Sequence, residues 1–401
     1  MSAIRVRKAR EMRKTRLRTA AVVLAAAVAV VSSATAHAGV RWSAGELPDT
    51  GTAALTGITR VDGDTTWAYG IRVTQEGKAQ RSAPLLLSRD DGERGWREIP
   101  MPAFGQSFDQ INEISAVSQD DAWAVGLYDD ARGTFRTQHW DGTGWQVIDA
   151  PAPEGVPLAG GGLLDVSARS ADDAWAVGWI QVVDSETPTP GKPGGTTQES
   201  HDEALVQHWD GDAWHIVPVP DATSLSVSSV AAVGADDVWV SGYTAEDKPV
   251  MLHYDGGAWS RVPVPYDGVN GELVDLEVRG PGDIWAAGRK LNDDEDTGHA
   301  LVAHWDGHAW QQVPVPADAG RVDDLTLTPG GVAVAGKRPD GRPYGMRLRD
   351  GRWSPLDVPV GGPAGSRYLS GLTWTPQGLV ITGHDTGETG LPAPVLLTEG
   401  R

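Results

Sequence analysis

Glu113, Asp165, Asp275 and Asp324 recur at one place in a repeating chain, and Ser229 takes that place in a further copy. Gly57 and Gly371 complete the set. Carboxylates drawn from equivalent positions of a closed repeat converge on its axis. Such a group would hold a divalent cation, an amine or a basic peptide, or would simply wet the mouth of a channel. Crowding would also raise the pKa values of the acids toward the range useful in proton transfer. Other reactive groupings are sparse. The chain has no cysteine, which removes thiol nucleophiles and Tyr–Cys crosslinks, and it contains neither HExxH nor GxSxG. No catalytic residue, dedicated metal site or cofactor is therefore expected. The acid-rich run 292–296 lacks the glycine and the downstream glutamate of a calcium loop. His139, His208, His253 and His304 recur at a second repeat position. Sevenfold geometry keeps such residues far apart, so structural hydrogen bonding is expected of them. Asp121, Asp173 and Asp237 read as turn caps. Trp179 and Trp374 fall outside the repeat positions and would suit stacking on a sugar.

The device that positions these residues is a tandem repeat. "DDAWAVG" occupies 120–126 and again 172–178, followed by "DDVWVSG" at 236–242 and "GDIWAAG" at 282–288. "DTTWAYG" precedes them at 64–70, and "GGVAVAG" (330–336) and "QGLVITG" (377–383) are late, degenerate copies. A second motif, D-G-x-x-W, alternates with the first, as in "HWDGDAWHIVPVP" from His208. Its tryptophans are Trp145, Trp214, Trp259 and Trp310, with weaker versions at Trp96 and Trp353, and the missing seventh is Trp42, ahead of the first repeat. Each repeat reads as four short strands; in the second they are 114–118, 122–128, 135–140 and 145–149. A four-stranded sheet with two apolar faces cannot stand alone, but copies packed face to face close into a ring. The expected fold is an all-β, seven-bladed β-propeller with four antiparallel strands per blade. Residues 39–48 would supply the outer strand of the last blade. The blades would span about 53–102, 111–152, 162–220, 227–265, 272–316, 322–360 and 367–399. Proline pairs at 100/102, 218/220, 263/265 and 314/316 would sit on the outer strand, where they lose no ladder bond and block pairing with other chains.

Over nearly all of 39–401 the chain resembles secreted bacterial propellers of the broad kelch and Asp-box class. The second strand ends in one glycine where kelch repeats have two. "SRDDGERGW" at 88–96 is similar to an Asp-box with one extra residue before the tryptophan. The resemblance implies architecture, and propellers host unrelated functions.

The first 38 residues differ from the rest. Eight Arg and Lys, a short apolar run from Thr19 to Val31 and the A-x-A site at 36–38 describe a cleaved Sec-type signal peptide. The apolar run is too short to span a bilayer. Of 34 basic and 54 acidic residues, eight and one lie in this leader. The remainder holds 26 and 53, a net charge of −27, which excludes nucleic acid and anionic lipid as partners. A secreted monomer with no membrane insertion is expected. Two turns per blade are nearly constant, and the other two connections vary. The variable ones include a long insert, "VVDSETPTPGKPGGTTQESHDE" at 182–203, and all open on one face.

The leading functional reading is a secreted, non-enzymatic binding protein that offers this face to a glycan, a peptide or an envelope protein. A second is an extracellular glycoside hydrolase or lyase with its site at the channel mouth. That reading needs a basic cluster, for which the innermost strands offer Arg60, Arg169 and Arg279. A third is a structural part of a cell-surface assembly.

Overall fold

The computed structural model describes residues 40–76, 79–102, 110–129, 132–188, 195–291, 298–361, 367–386 and 390–400. The signal-peptide segment, residues 103–109 of one variable link and the acid-rich run 292–296 lie outside the described residues.

Short apolar runs punctuated by Asp-Gly and Ser-x-Asp turns fold into strands throughout. They are β1 (Arg41–Ala44); β2 (Ala53–Arg60), β3 (Thr65–Glu76), β4 (Ala79–Asp90) and β5 (Arg97–Glu98); β6 (Ile111–Ser118), β7 (Asp121–Asp129), β8 (Thr134–Trp140) and β9 (Trp145–Pro151); β10 (Leu158–Ser170), β11 (Asp173–Pro188), β12 (Thr196–Trp209) and β13 (Trp214–Ile216). There follow β14 (Leu225–Gly234), β15 (Asp237–Thr244), β16 (Pro249–Tyr254) and β17 (Trp259–Arg261); β18 (Gly271–Gly280), β19 (Asp283–Lys290), β20 (Ala300–Trp305) and β21 (Trp310–Gln312); β22 (Arg321–Thr328), β23 (Gly331–Lys337), β24 (Pro343–Arg349) and β25 (Arg352–Pro355); and β26 (Arg367–Thr375), β27 (Gly378–Thr386) and β28 (Pro392–Gly400). Consecutive strands pair antiparallel in fours. The groups starting at β6 and β10 are joined into one larger sheet by a single pair, Gly162↔Leu127. The strand β1 pairs with β28, from Arg41↔Gly400 to Ala44↔Leu397.

The first strands touch in the order β2, β6, β10, β14, β18, β22, β26 and back to β2, so the sheets stand in a closed circle around them. The core follows the same circle. Each hydrophobic cluster lies between two neighbouring sheets: Trp123, Phe135, Leu163 and Ile180 fill one gap, and Leu55, Leu85, Val380 and Leu396 fill the gap between the chain's last sheet and its first. The architecture belongs to the β-propeller class.

The outer strands end early. In the first, third, fourth and fifth sheets they run two or three residues, and one more amide then bonds inward: Ile99 N to Leu86 O, Val217 N to Val206 O, Val262 N to Met251 O, and Val313 N to Val302 O, all near 2.9 Å. The next residue is proline in each case. Its missing N–H faces outward, so no bond is lost.

The insert at 182–203, expected as a loop, is largely strand. Pairing between β11 and β12 continues outward to Pro188↔Thr196. Its threonines and acids have no core face to mark them, so their pairing leaves no hydrophobic pattern to read.

Candidate functional site

The seven aligned positions are one structural feature. Every first strand carries a β-bulge there: the register slips between Leu55 and Gly57, Ile111 and Glu113, Leu163 and Asp165, Val227 and Ser229, Leu273 and Asp275, Val322 and Asp324, and Leu369 and Gly371. The acids were expected just ahead of the first strands, at an open channel mouth. They stand inside the strands, on the far side of the bulge. The bulge also accounts for the glycine that ends each second-strand motif. A Cβ on Gly242 would overlap Ser226 O, and one on Gly288 would overlap Glu272 O. The extra residue swings the first strand's carbonyl over its partner, and only glycine leaves room.

Asp165, Asp275 and Asp324 each latch their sheet to the next. Asp165 on β10 accepts Ser229 Oγ (2.6 Å) and Val230 N (2.8 Å) from β14 with one oxygen, and Val166 N (2.7 Å) with the other. Ser229 replaces an acid by accepting Leu276 N from β18 at 3.2 Å. Asp275 accepts Leu325 N from β22 (2.7 Å), and Asp324 accepts Leu372 N from β26 (2.5 Å). Where glycine stands instead, the latch is built differently. The Tyr69 ring fills the space a side chain at Gly57 would need, and its Oη donates to Glu113 on β6. At Gly371 a Cβ would lie 2.9 Å from Gly57 Cα, and Ser370 Oγ donates to Leu55 O at 2.7 Å.

Glu113, Asp165, Asp275 and Asp324 are each partly buried. Burial, then the charge of Asp165, pushes Glu113 well above the usual carboxylate range. Burial raises Asp165 to about 7 against the opposing pull of its hydrogen bonds. Burial raises Asp275, and burial with the charge of Asp275 raises Asp324 well up. Sequence reading missed a fifth acid, Glu277, two residues beyond Asp275 on the same face of β18. Burial, with the charges of Asp275 and Asp165, lifts it to about 8. The period of two along a strand was the signal that could have found it.

Groups with such values suit general acid catalysis near neutrality. Here one oxygen of each of Asp165, Asp275 and Asp324 is taken by a backbone amide of the neighbouring first strand, which fixes the carboxyl in place. Among the described residues no three His, Asp or Glu side chains are grouped to hold a metal ion. The three arginines do not converge either. Arg60 pairs with Asp91 (3.0 Å), Arg169 with Asp173, and Arg279 with Asp283 (2.7 Å), each within its own sheet.

The recurrent histidines form a structural repeat of their own. Nε2 of His139, His208, His253 and His304 lies 2.8–3.0 Å from Asp121, Asp173, Asp237 and Asp283. Each imidazole faces the motif tryptophan, with ring centroids 4.7, 4.4, 4.3 and 4.4 Å apart. Trp239 and Trp285 also donate Nε1 to Asp237 and Asp283. Asp121, Asp173 and Asp237, expected as turn caps, thus serve with Asp283 as acceptors for the second- and third-strand rings. Turn capping falls to the D-G-x-x-W aspartates: Asp210 accepts Asp212 N and Ala213 N at 3.0 Å, which lowers its pKa to about 2. Trp179 sits half-buried in β11 between Gly162 and Ala204. The Arg347 guanidinium covers the Trp374 ring at 5.4 Å and is itself held by Glu399.

On the variable side the β11–β12 ribbon projects as a charged arm. His201 is clasped there by Asp184 (2.7 Å) and Glu203 (2.9 Å), and those bonds raise its pKa.

No protein-family model and no curated protein matches the chain. Solved structures do. The chain is similar to YCF48 in a structure titled "YCF48 bound to D1 peptide", with 16% identity and a TM-score of 0.54, over 90% of this chain and 97% of that one. It is also similar to Raptor from Chaetomium thermophilum, with 9% identity and a TM-score of 0.51, over 91% of this chain and 30% of that one. At these identities the likeness is one of fold.

Proposed function

We propose that the protein is an exported, non-catalytic binding protein: a seven-bladed β-propeller of the kelch and Asp-box type that presents its variable-loop face to a peptide. The observation that carries this reading is the commitment of the channel acids. Three members of the one constellation that could have acted on a substrate, Asp165, Asp275 and Asp324, are tied to the backbone of the adjacent first strand, and Glu113 accepts Tyr69 Oη. What is left for recognition is a rigid ring bearing loops of unequal length on one side. The structurally similar YCF48 has been solved with a peptide bound, which favours a peptide over a glycan as the ligand class. Export rests on the basic, apolar and A-x-A segments of residues 1–38.

The test is a peptide array probed with the protein and with a variant whose β11–β12 ribbon is cut back to the short turn that joins β15 and β16. Shortening should weaken the selected peptides by about tenfold, the equivalent of about 1.4 kcal/mol. Alanine at Asp165 or Asp324 should lower stability while leaving those affinities unchanged. A variant that binds every peptide as well as the parent, or turnover of a polysaccharide by the parent, would remove the proposal.

A further inference from the structure

The outer strand of the second sheet departs from its siblings. In the first, third, fourth and fifth sheets, the fourth residue after the motif tryptophan is Pro100, Pro218, Pro263 or Pro314. In the sixth it is Asp357, whose positive φ of 47° ends the strand, and in the last it is Glu46, which bridges to Gly95. In the second sheet it is Asp149, inside a strand of seven paired residues. Ile148 turns its backbone toward β8, where its carbonyl accepts Thr137 Oγ1. Backbone direction alternates along a strand, so the amides of Val147 and Asp149 point away from the sheet. No strand among the described residues pairs with that edge. Ala150 and Trp145 are buried beneath it, which holds the edge rigid, while Val147 is 38% exposed.

Four sheets therefore carry a proline where an outward amide would invite another strand, and this one does not. The geometry points to β9 as a docking edge for an extended, basic segment of a partner protein, added as a fifth strand. Charge selects the occupant. The rim here bears Asp141 and Asp149, the latter paired with Arg132 at 3.1 Å, so the selection comes from the whole surface: residues 39–401 carry a net charge of −27, which opposes a second copy of this chain and attracts a cationic strand. The proposal stands apart from the loop-face reading because it concerns a different surface.

The probe is a fluorescein-labelled peptide of alternating lysine and valine, with a version in which proline replaces valine as the control. On the unmodified protein, saturating peptide should slow amide hydrogen exchange at Val147 and Asp149, while the amides of β5, β13, β17 and β21 stay unchanged. Asp149→Pro copies what four siblings carry, and it should weaken binding by about tenfold, the worth of one hydrogen-bonded pair. Asp149→Asn keeps the amide, so it should bind within about threefold of the parent, the loss reflecting one screened surface charge and the release of Arg132 from its pair. Unchanged exchange at Val147 and Asp149, or equal binding by Asp149→Pro, overturns the proposal. So does a concentration-dependent dimer that Asp149→Pro abolishes, which would give the edge to a second copy.

Discussion

Asp165 and Glu277 carry the most informative titrations. Both acids have folded-state values, about 7 and about 8, above those of an unfolded chain. The folded protein therefore binds their protons more tightly than the unfolded one does. Their stabilising contribution is complete below about pH 4 and is lost as pH rises toward 8. Thermal unfolding followed by circular dichroism should show Tm falling by a few degrees between pH 5 and pH 8.5, about what 1–3 kcal/mol produces in a domain of this size. Glu277→Gln removes one of these titrations without removing volume, so its Tm should exceed that of the parent at pH 8.5 and approach it at pH 5. A Tm that climbs with pH over this window would show that these carboxyls are charged and well solvated in the folded state. A different residue tests the ring stacks. Asp237 accepts both His253 and Trp239, so Asp237→Ala strands one buried and one partly buried donor and should cost about 2–4 kcal/mol in denaturant unfolding. Asp237→Asn should cost less, because one acceptor oxygen remains.

Strands pose a different problem, because the bulge couples two adjacent residues of the first strand to a glycine on the second. The first strand's extra residue, the glycine across from it and the acid beyond it form one unit. Gly242→Ala should therefore be disproportionately harmful, costing about 3 kcal/mol although it adds only a methyl, because that methyl meets the Ser226 carbonyl. The same change at Gly63, where nothing lies nearby, should be near neutral. If both substitutions shift the urea midpoint equally, the bulge does not dictate the glycine. This coupling also marks how far the sequence could be read. The W-x-x-G spacing identified the second strands, and recurrence identified Glu113, Asp165, Asp275 and Asp324 as equivalent. Their hydrogen-bond partners were hidden, because a bulge shifts register by one residue and the shift depends on the strand alongside. Tyr69 was hidden for a related reason: it enters the space left by Gly57, and that vacancy exists only once β2 and β3 are paired. The insert at 182–203 read as loop because proline, threonine and acids dominate its sequence and leave no apolar alternation.

Closure of the ring depends on very few residues. Between Arg41 and Glu46 the chain touches three sheets: β1 pairs with β28, Trp42 Nε1 donates to Leu356 O at 2.7 Å in the preceding sheet, and Glu46 O accepts Trp96 N at 3.0 Å in the first. Without that segment the β28 edge, with Val395, Leu396 and Leu397, would be open to solvent and to other chains. The loss should propagate, because every sheet is stabilised by its two neighbours and the gap between the last and first sheets closes the circle. A variant lacking everything before Thr50 should therefore unfold at lower temperature, exchange the amides of β26, β27 and β28 faster, and aggregate on heating. Supplying a synthetic peptide of residues 40–48 should reverse these effects by mass action, restoring about 2.7 kcal/mol at a hundredfold excess over its Kd. A peptide carrying Trp42→Ala should do so only at much higher concentration, because it loses both the indole's burial and its bond to Leu356. Should the shortened protein keep the parent's Tm and exchange pattern, the ring would be held by its sheet-to-sheet contacts alone, and the N-terminal strand would be an ornament on an already closed structure.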